Sequence, residues 1–171
     1  MSKLIYLDNA ATTKTAPEVL EAMLPYFTEQ YGNPSAIFAS HNKDVVAEQR
    51  ERIANALGAK SNEIYFTAGG SESDNWALKA TAEAYQNKGK HIITTKIEHH
   101  AILHTAAYLE ERGFEVTYLD VDEYGKVNPA DVEAAIRPDT ILISVMYANN
   151  EIGTIEPIKE IGEIAHKHGI L

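Results

Sequence analysis

At 171 residues the chain is long enough for one well-buried core and short for two independent ones. Its charge is 15 basic against 25 acidic residues, −10 with neutral histidines, and no basic run or stripe stands out, which argues against a nucleic-acid or anionic-membrane partner. With no cysteine, these residues hold no disulfide framework, no thiolate zinc site and no thiol nucleophile.

The opening stretch MSKLIYLDNAATT lacks the basic segment, long apolar run and small-residue cleavage site of a signal peptide. No apolar run approaches the roughly 20 residues needed to span a bilayer. A soluble cytoplasmic protein is the expectation. Next come PEVLEAMLPYFTEQYG and VVAEQRERIANALGA, which read as two helices around the loop GNPS.

Beyond residue 60 short β-branched runs alternate with longer helical patterns, the signature of parallel βαβ architecture. The strand candidates are Glu63 to Thr67, His91 to Thr95, Glu115 to Leu119 and Thr140 to Ala148. The last is apolar almost throughout, as a central strand covered on both faces should be. Ser71 and Asp74 have capping-box spacing ahead of NWALKATAEAYQNKG, with Gly89 placed to end that helix. HHAILHTAAYLEERG ends the same way on Gly113. Asn128 and Pro129 suit the cap and first turn of the next helix, and a further helix opens at Pro157 and closes at Gly169. The expectation is a parallel sheet of at least four strands sandwiched by helices. No repeat or linker divides the chain, so residues 1–171 read as one domain: an N-terminal arm and helices over 1–60, then βα units over 61–171. After Gly169 the rhythm calls for another strand of about 5 residues, and the chain reads as cut within that element.

Ligands of open parallel sheets bind outside the carboxyl ends of the strands, where loops and helix N-termini converge. The turn AGGSESDN combines two glycines, which permit close backbone approach, with a helix N-terminus whose free N–H groups favour an anion. It matches neither the triphosphate nor the dinucleotide glycine pattern, so one phosphate monoester held by amides and the Ser71 hydroxyl suits it better. A capped turn with glycine for tightness alone explains the same residues. In KIEHHAILH, His99 stands first after a strand and could face a ligand. His100 and His104 are four apart, a spacing that permits zinc but lacks a third ligand, and they read better as surface or capping residues. NNEIGT is explained by turn chemistry, yet it also offers an amide at the sheet's mouth. DNAATT is either a capping segment or an arm over a site. Together, cup, imidazole and amide suggest a phosphorylated aromatic cofactor.

The segments YLDNAATT, GNPS, EIYFTAGGSESDN, EHHAILHT, GFEVTYLDVDEYGKV and NNEIGTIEPI, in this order and spacing, resemble the N-terminal part of pyridoxal-phosphate-dependent cysteine desulfurases. The resemblance is to the iron-sulfur cluster assembly branch within the class V aminotransferase group. It implies part of the large domain of a fold type I pyridoxal-phosphate enzyme, a three-layer α/β/α sandwich. Gly70 and Ser71 resemble the pair that binds the cofactor phosphate, with Ser71 where threonine is usual. His99 is similar to the histidine that stacks on the pyridine ring and takes part in proton transfer, so it is the catalytic candidate. Asn150 resembles the asparagine at the cofactor's phenolic oxygen and near the substrate; Asn33 falls in a loop near the substrate entrance. Phe38, His41 and Lys14 depart from the family's usual residues.

The resemblance further implies that L-cysteine becomes L-alanine while an enzyme cysteine takes the sulfur as a persulfide for an acceptor or iron-sulfur scaffold protein. The full-length form would be a homodimer. The ring-nitrogen aspartate, supporting glutamine, tethering lysine, substrate-binding arginine and sulfur-accepting cysteine of such enzymes would all follow Leu171, so these residues alone are expected to be inactive. Two other readings stay open: a selenocysteine lyase or another aminotransferase of the group, and a non-catalytic chain that binds a complementing one.

Overall fold

The computed structural model describes residues 5–35 and 40–171. Phe38 lies outside the described residues, and so does the side chain of His41. The chain divides into two units, one ending at Phe66 and one running from Thr67 to Leu171.

The first unit is helical. Pro25 divides the expected first helix into α1 (Pro17–Met23) and α2 (Pro25–Thr28), because its ring cannot supply the N–H that a continuous helix needs. The second helix, α3 (Ser40–Leu57), is followed by a 3-10 turn at Ser61–Glu63. The strand expected over Glu63 to Thr67 does not form. Glu63 belongs to the turn, and no neighbouring strand offers residues 64–67 a ladder. The Ile64 carbonyl accepts instead from the Arg50 guanidinium, which also lies 4.7 Å from the Phe66 ring centre.

The second unit alternates helix and strand: α4 (Gly70–Tyr85), β1 (His91–Thr95), α5 (His100–Glu110), β2 (Glu115–Leu119), α6 (Pro129–Ala135), β3 (Thr140–Ser144) and α7 (Ile158–His168). Among the described residues the sheet has three parallel strands, ordered β2-β1-β3. On one face, Leu78 and Ala82 of α4 and Ile102 and Leu109 of α5 pack with Ile92 and Ile141. On the other, Val132 of α6 and Ile161 of α7 pack with Ile93 and Leu119. These layers make the expected α/β/α sandwich.

Several helix ends follow their residues. Asn128 caps α6 by accepting from the Ala130 N–H, with Pro129 in the first turn, and Gly169 closes α7 at φ 66°, in the left-handed region. Two expectations fail. Ser71 and Asp74 form no capping box, because α4 starts earlier, with Gly69 as its cap. The loop is tied instead by the Glu72 carboxylate, which accepts from the Ala68 N–H at 2.6 Å, and by a 2.7 Å bond between the Thr67 and Ser73 hydroxyls. Gly89 lies beyond the end of α4, and its role is close approach: a Cβ there would stand 2.1 Å from the Asp139 carbonyl oxygen. After Gly169 the Leu171 carbonyl accepts from the Ile143 N–H at 2.8 Å, alongside β3. No helix among the described residues is long and apolar enough to cross a membrane.

β1 is buried at all five positions, including its one histidine. His91 Nδ1 lies 2.7 Å from the Thr140 hydroxyl and Nε2 lies 2.8 Å from the Thr117 hydroxyl, so the imidazole bridges the strands on either side. Burial, and then the charge of Arg137, hold its pKa below the ordinary 6.5, against the opposing pull of Asp139 and Glu115. The unfolded ring binds its proton more readily than the folded one. The stabilising contribution is therefore complete above about pH 6.5 and is lost as the pH falls toward the lower folded value.

Two outcomes follow. His91→Phe should cost about 1–3 kcal/mol at neutral pH through the two lost hydrogen bonds. In thermal unfolding its deficit should narrow on acidification toward pH 5.5, and a deficit independent of pH would contradict the neutral bridge. Gly89→Ala should destabilise by about 1–3 kcal/mol or more in denaturant titration, because backbone, not a flexible side chain, occupies the space its methyl needs.

Candidate cofactor site at the carboxyl end of the sheet

The chain leaves β1 toward the α4/α5 face and leaves β3 toward the α6/α7 face. Loops that diverge in this way from neighbouring strands open a crevice between them, the topological switch point of an open sheet. His99 and Asn150 lie on these two loops.

Gly69 is extended (φ 166°), and the first backbone bond of the α4 turn runs from the Ser73 N–H to the Gly69 carbonyl. The amides of Gly70, Ser71 and Glu72 precede that bond, so helix geometry leaves their N–H groups without a carbonyl four residues back. A Cβ added at Gly69 or Gly70 would meet no heavy atom within 4 Å, so the space beside these two glycines is open. The positive end of the helix dipole points into it. Glu72 turns its carboxylate back onto Ala68, which leaves amides and the Ser71 hydroxyl as the donors there.

His99 caps α5. Its Nδ1 accepts from the Ala101 N–H at 3.1 Å, which leaves Nε2 as the ring atom free to hold a proton. A cavity of about 420 Å³ is lined by Ser71, Asn75, Lys79, His99, His100, Ala101, His104, Thr105 and Tyr108. The fold thus brings Ser71 and His99, distant in sequence, to one concavity. His100 and His104 stack at 5.3 Å between ring centres, and no group of three or more metal-ligating side chains occurs among the described residues. Lys79 lines the same cavity with its ammonium 4.3 Å from the Tyr108 ring centre.

Asn150 does not line this cavity. It is exposed, and its Nδ2 donates to Glu151 Oε1 at 3.0 Å. Asn33 lies in the first unit, where its Oδ1 accepts from the Ser35 N–H at 2.9 Å and shapes the GNPS turn.

Two side chains at the crevice were not legible from the sequence. Glu98 is 7% exposed and Asn149 is 7% exposed. Glu98 Oε1 accepts from the Thr95 hydroxyl at 3.0 Å and from the Met146 N–H at 2.9 Å. This second bond explains why β3 ends at Ser144 and not at Ala148: the Met146 N–H goes to a carboxylate, and Ala148 pairs with Ile155 in an isolated antiparallel bridge. Burial raises the Glu98 pKa; its two hydrogen bonds act the other way, and the charges of Glu156 and Asp74 reinforce the rise. Asn149 Nδ2 donates to the Ile97 carbonyl at 3.0 Å, while its Oδ1 accepts from the Glu151 and Ile152 amides. Asn149, not Asn150, therefore does the turn's structural work. The signal in KIEHH is one acid beside two histidines, and nothing local shows that its partner lies 48 residues away.

The chain is similar to known proteins along nearly its whole length. The chain is 61% identical over 171 residues to cysteine desulfurase IscS of Methanosarcina thermophila, covering 99% of the chain and 42% of that protein. It is 62% identical over 172 residues to cysteine desulfurase IscS of Clostridium botulinum strain Kyoto, covering 99% and 43%. The chain thus spans less than half the length of these relatives. Among solved structures, SspA in complex with cysteine superposes with a TM-score of 0.90 at 44% identity, over 96% of this chain and 48% of that one. A NifS-like protein superposes with a TM-score of 0.90 at 42% identity, over 96% and 46%. The aminotransferase class-V family matches residues 5–171, nearly the whole sequence, and to that family the chain belongs.

Proposed function

We propose that the chain carries the phosphate- and ring-binding side of a pyridoxal-phosphate-dependent cysteine desulfurase. Residues 61–171 would be part of its cofactor-binding large domain. The enzyme converts L-cysteine to L-alanine and leaves the sulfur as a persulfide on an enzyme cysteine, for an acceptor or iron-sulfur scaffold protein in the cytoplasm. Its working form is a homodimer. The observation that carries this reading is the meeting of Ser71 and His99 at one cavity beside the open amides of α4. The kinship with IscS proteins supports it.

The residues fit the cofactor. Amides and a hydroxyl at a helix N-terminus, with open space over two glycines, suit a phosphate monoester. Gly70 and Ser71 would hold it there. When bound, pyridoxal phosphate supplies an electron sink for carbanion chemistry. His99 would face the ring, and since Nδ1 is engaged by Ala101, Nε2 is the atom that holds or passes a proton. Asn150 would exchange its bond with Glu151 for one to the phenolic oxygen or the substrate. Asn33 would contact the entering substrate. The thiol that receives sulfur is not among these 171 residues, which contain no cysteine.

In the full product of the gene, L-cysteine with a thiol reductant should yield alanine and sulfide in equal amounts once pyridoxal phosphate is added. Turnover of selenocysteine without turnover of cysteine would overturn the substrate assignment. Ser71→Ala should weaken pyridoxal-phosphate binding about tenfold in calorimetric titration, through loss of one hydrogen bond to a charged group, and Ser71→Thr should restore it. Equal affinity for all three proteins would remove Ser71 from the phosphate cup.

A further inference from the structure

Ladder pairing between β1 and β3 ends at Thr94 and Ser144, and the two chains then diverge to opposite faces of the sheet. What joins them past that point is side chains. Glu98, on the β1 loop, reaches across to the Met146 N–H of the β3 loop. Asn149, on the β3 loop, reaches back to the Ile97 carbonyl. Glu98 adjoins His99 in the chain, and Asn149 adjoins Asn150. Both connectors are almost fully buried, so their bonds are shielded from competing water.

We infer that Glu98 and Asn149 are positioning residues: together they form a reciprocal clasp across the switch point that sets the spacing between His99 and Asn150. The inference deepens the proposed function and rests on its reading of this crevice as the cofactor site. A buried carboxyl group is costly where packing alone would serve. An apolar side chain at 98 could fill the volume but could not hold Met146. Thr95 orients the same Glu98 oxygen from the end of β1, which ties the clasp to the most buried strand of the sheet. Asn149 meanwhile shapes the turn that follows it, through the Glu151 and Ile152 amides at 2.9 and 3.1 Å. The clasp therefore directs the backbone on both sides of Asn150.

The test uses the full product of the gene and the variants Glu98→Ala, Glu98→Gln and Asn149→Ala. Amide hydrogen exchange is read over residues 96–101 and 146–152, and pyridoxal-phosphate affinity by titration. Each alanine variant should raise exchange about tenfold in both segments, with β1 and the body of α5 unchanged, and should weaken cofactor binding about tenfold. Glu98→Gln should stay within about threefold of the parent protein, because its amide oxygen can accept the same two bonds. Exchange raised in the mutated loop alone, or throughout the sheet, would overturn the clasp, as would a glutamine variant no better than alanine. Should Glu98→Ala fail to fold, Asn149→Ala decides by the same readings. If the parent protein takes up no pyridoxal phosphate, the cofactor reading fails, and the exchange measurements alone decide the clasp. If the parent binds it and the alanine variants bind it equally well, the clasp fails and the cofactor reading stands.

Discussion

The burial of β1 is the constraint on which the second unit depends. A strand with neighbours on both edges and helices on both faces must find its backbone hydrogen bonds internally, since water reaches none of them. That is why its first residue can be a histidine: the threonines of the flanking strands complete the ring's hydrogen bonding, so the imidazole is carried neutral into the core. At the other end, Thr95 gives its hydroxyl to Glu98. The strand thus carries polar links at both ends, while between them Ile92 packs in one cluster and Ile93 in the other, and the Thr94 hydroxyl is buried without a partner.

The site follows from how the chain leaves this strand. The loops after β1 and β3 turn toward opposite helical layers, and buried Glu98 and Asn149 bridge the gap between them. Beside His99, the starts of α4 and α5 line one cavity with different chemistry. α4 presents open amides behind glycines, whereas α5 begins with a histidine whose Nδ1 is already engaged. An anion and an aromatic ring are the complementary guests of such a pair, and on that pairing the proposed cofactor site rests.

Much of the fold was legible because the signals were local. The strands at His91–Thr95 and Glu115–Leu119 stand where their β-branched runs stand, Asn128 and Gly169 act as caps through bonds to their own neighbours, and Pro129 opens α6. The errors had a common cause. Residues 63–67 have strand composition but no partner strand, and residues 145–148 are apolar enough for a strand but lose a ladder bond to Glu98. The capping box at Ser71 and Asp74 was a spacing without its geometry, since the helix begins earlier, at the glycines.

The sequence by itself determined the alternation of strands and helices, the glycine turn before α4, the place of His99 at a strand-to-helix junction, and the family. Each of these is encoded within a few residues or in the order of motifs. Tertiary structure alone decided that Ser71 and His99 share a cavity, that His91 is a neutral bridge, and that Glu98 and Asn149 cross between loops. Those facts depend on partners 26 to 52 residues apart in the chain, and such pairings exist only once the sheet has brought its strands into register.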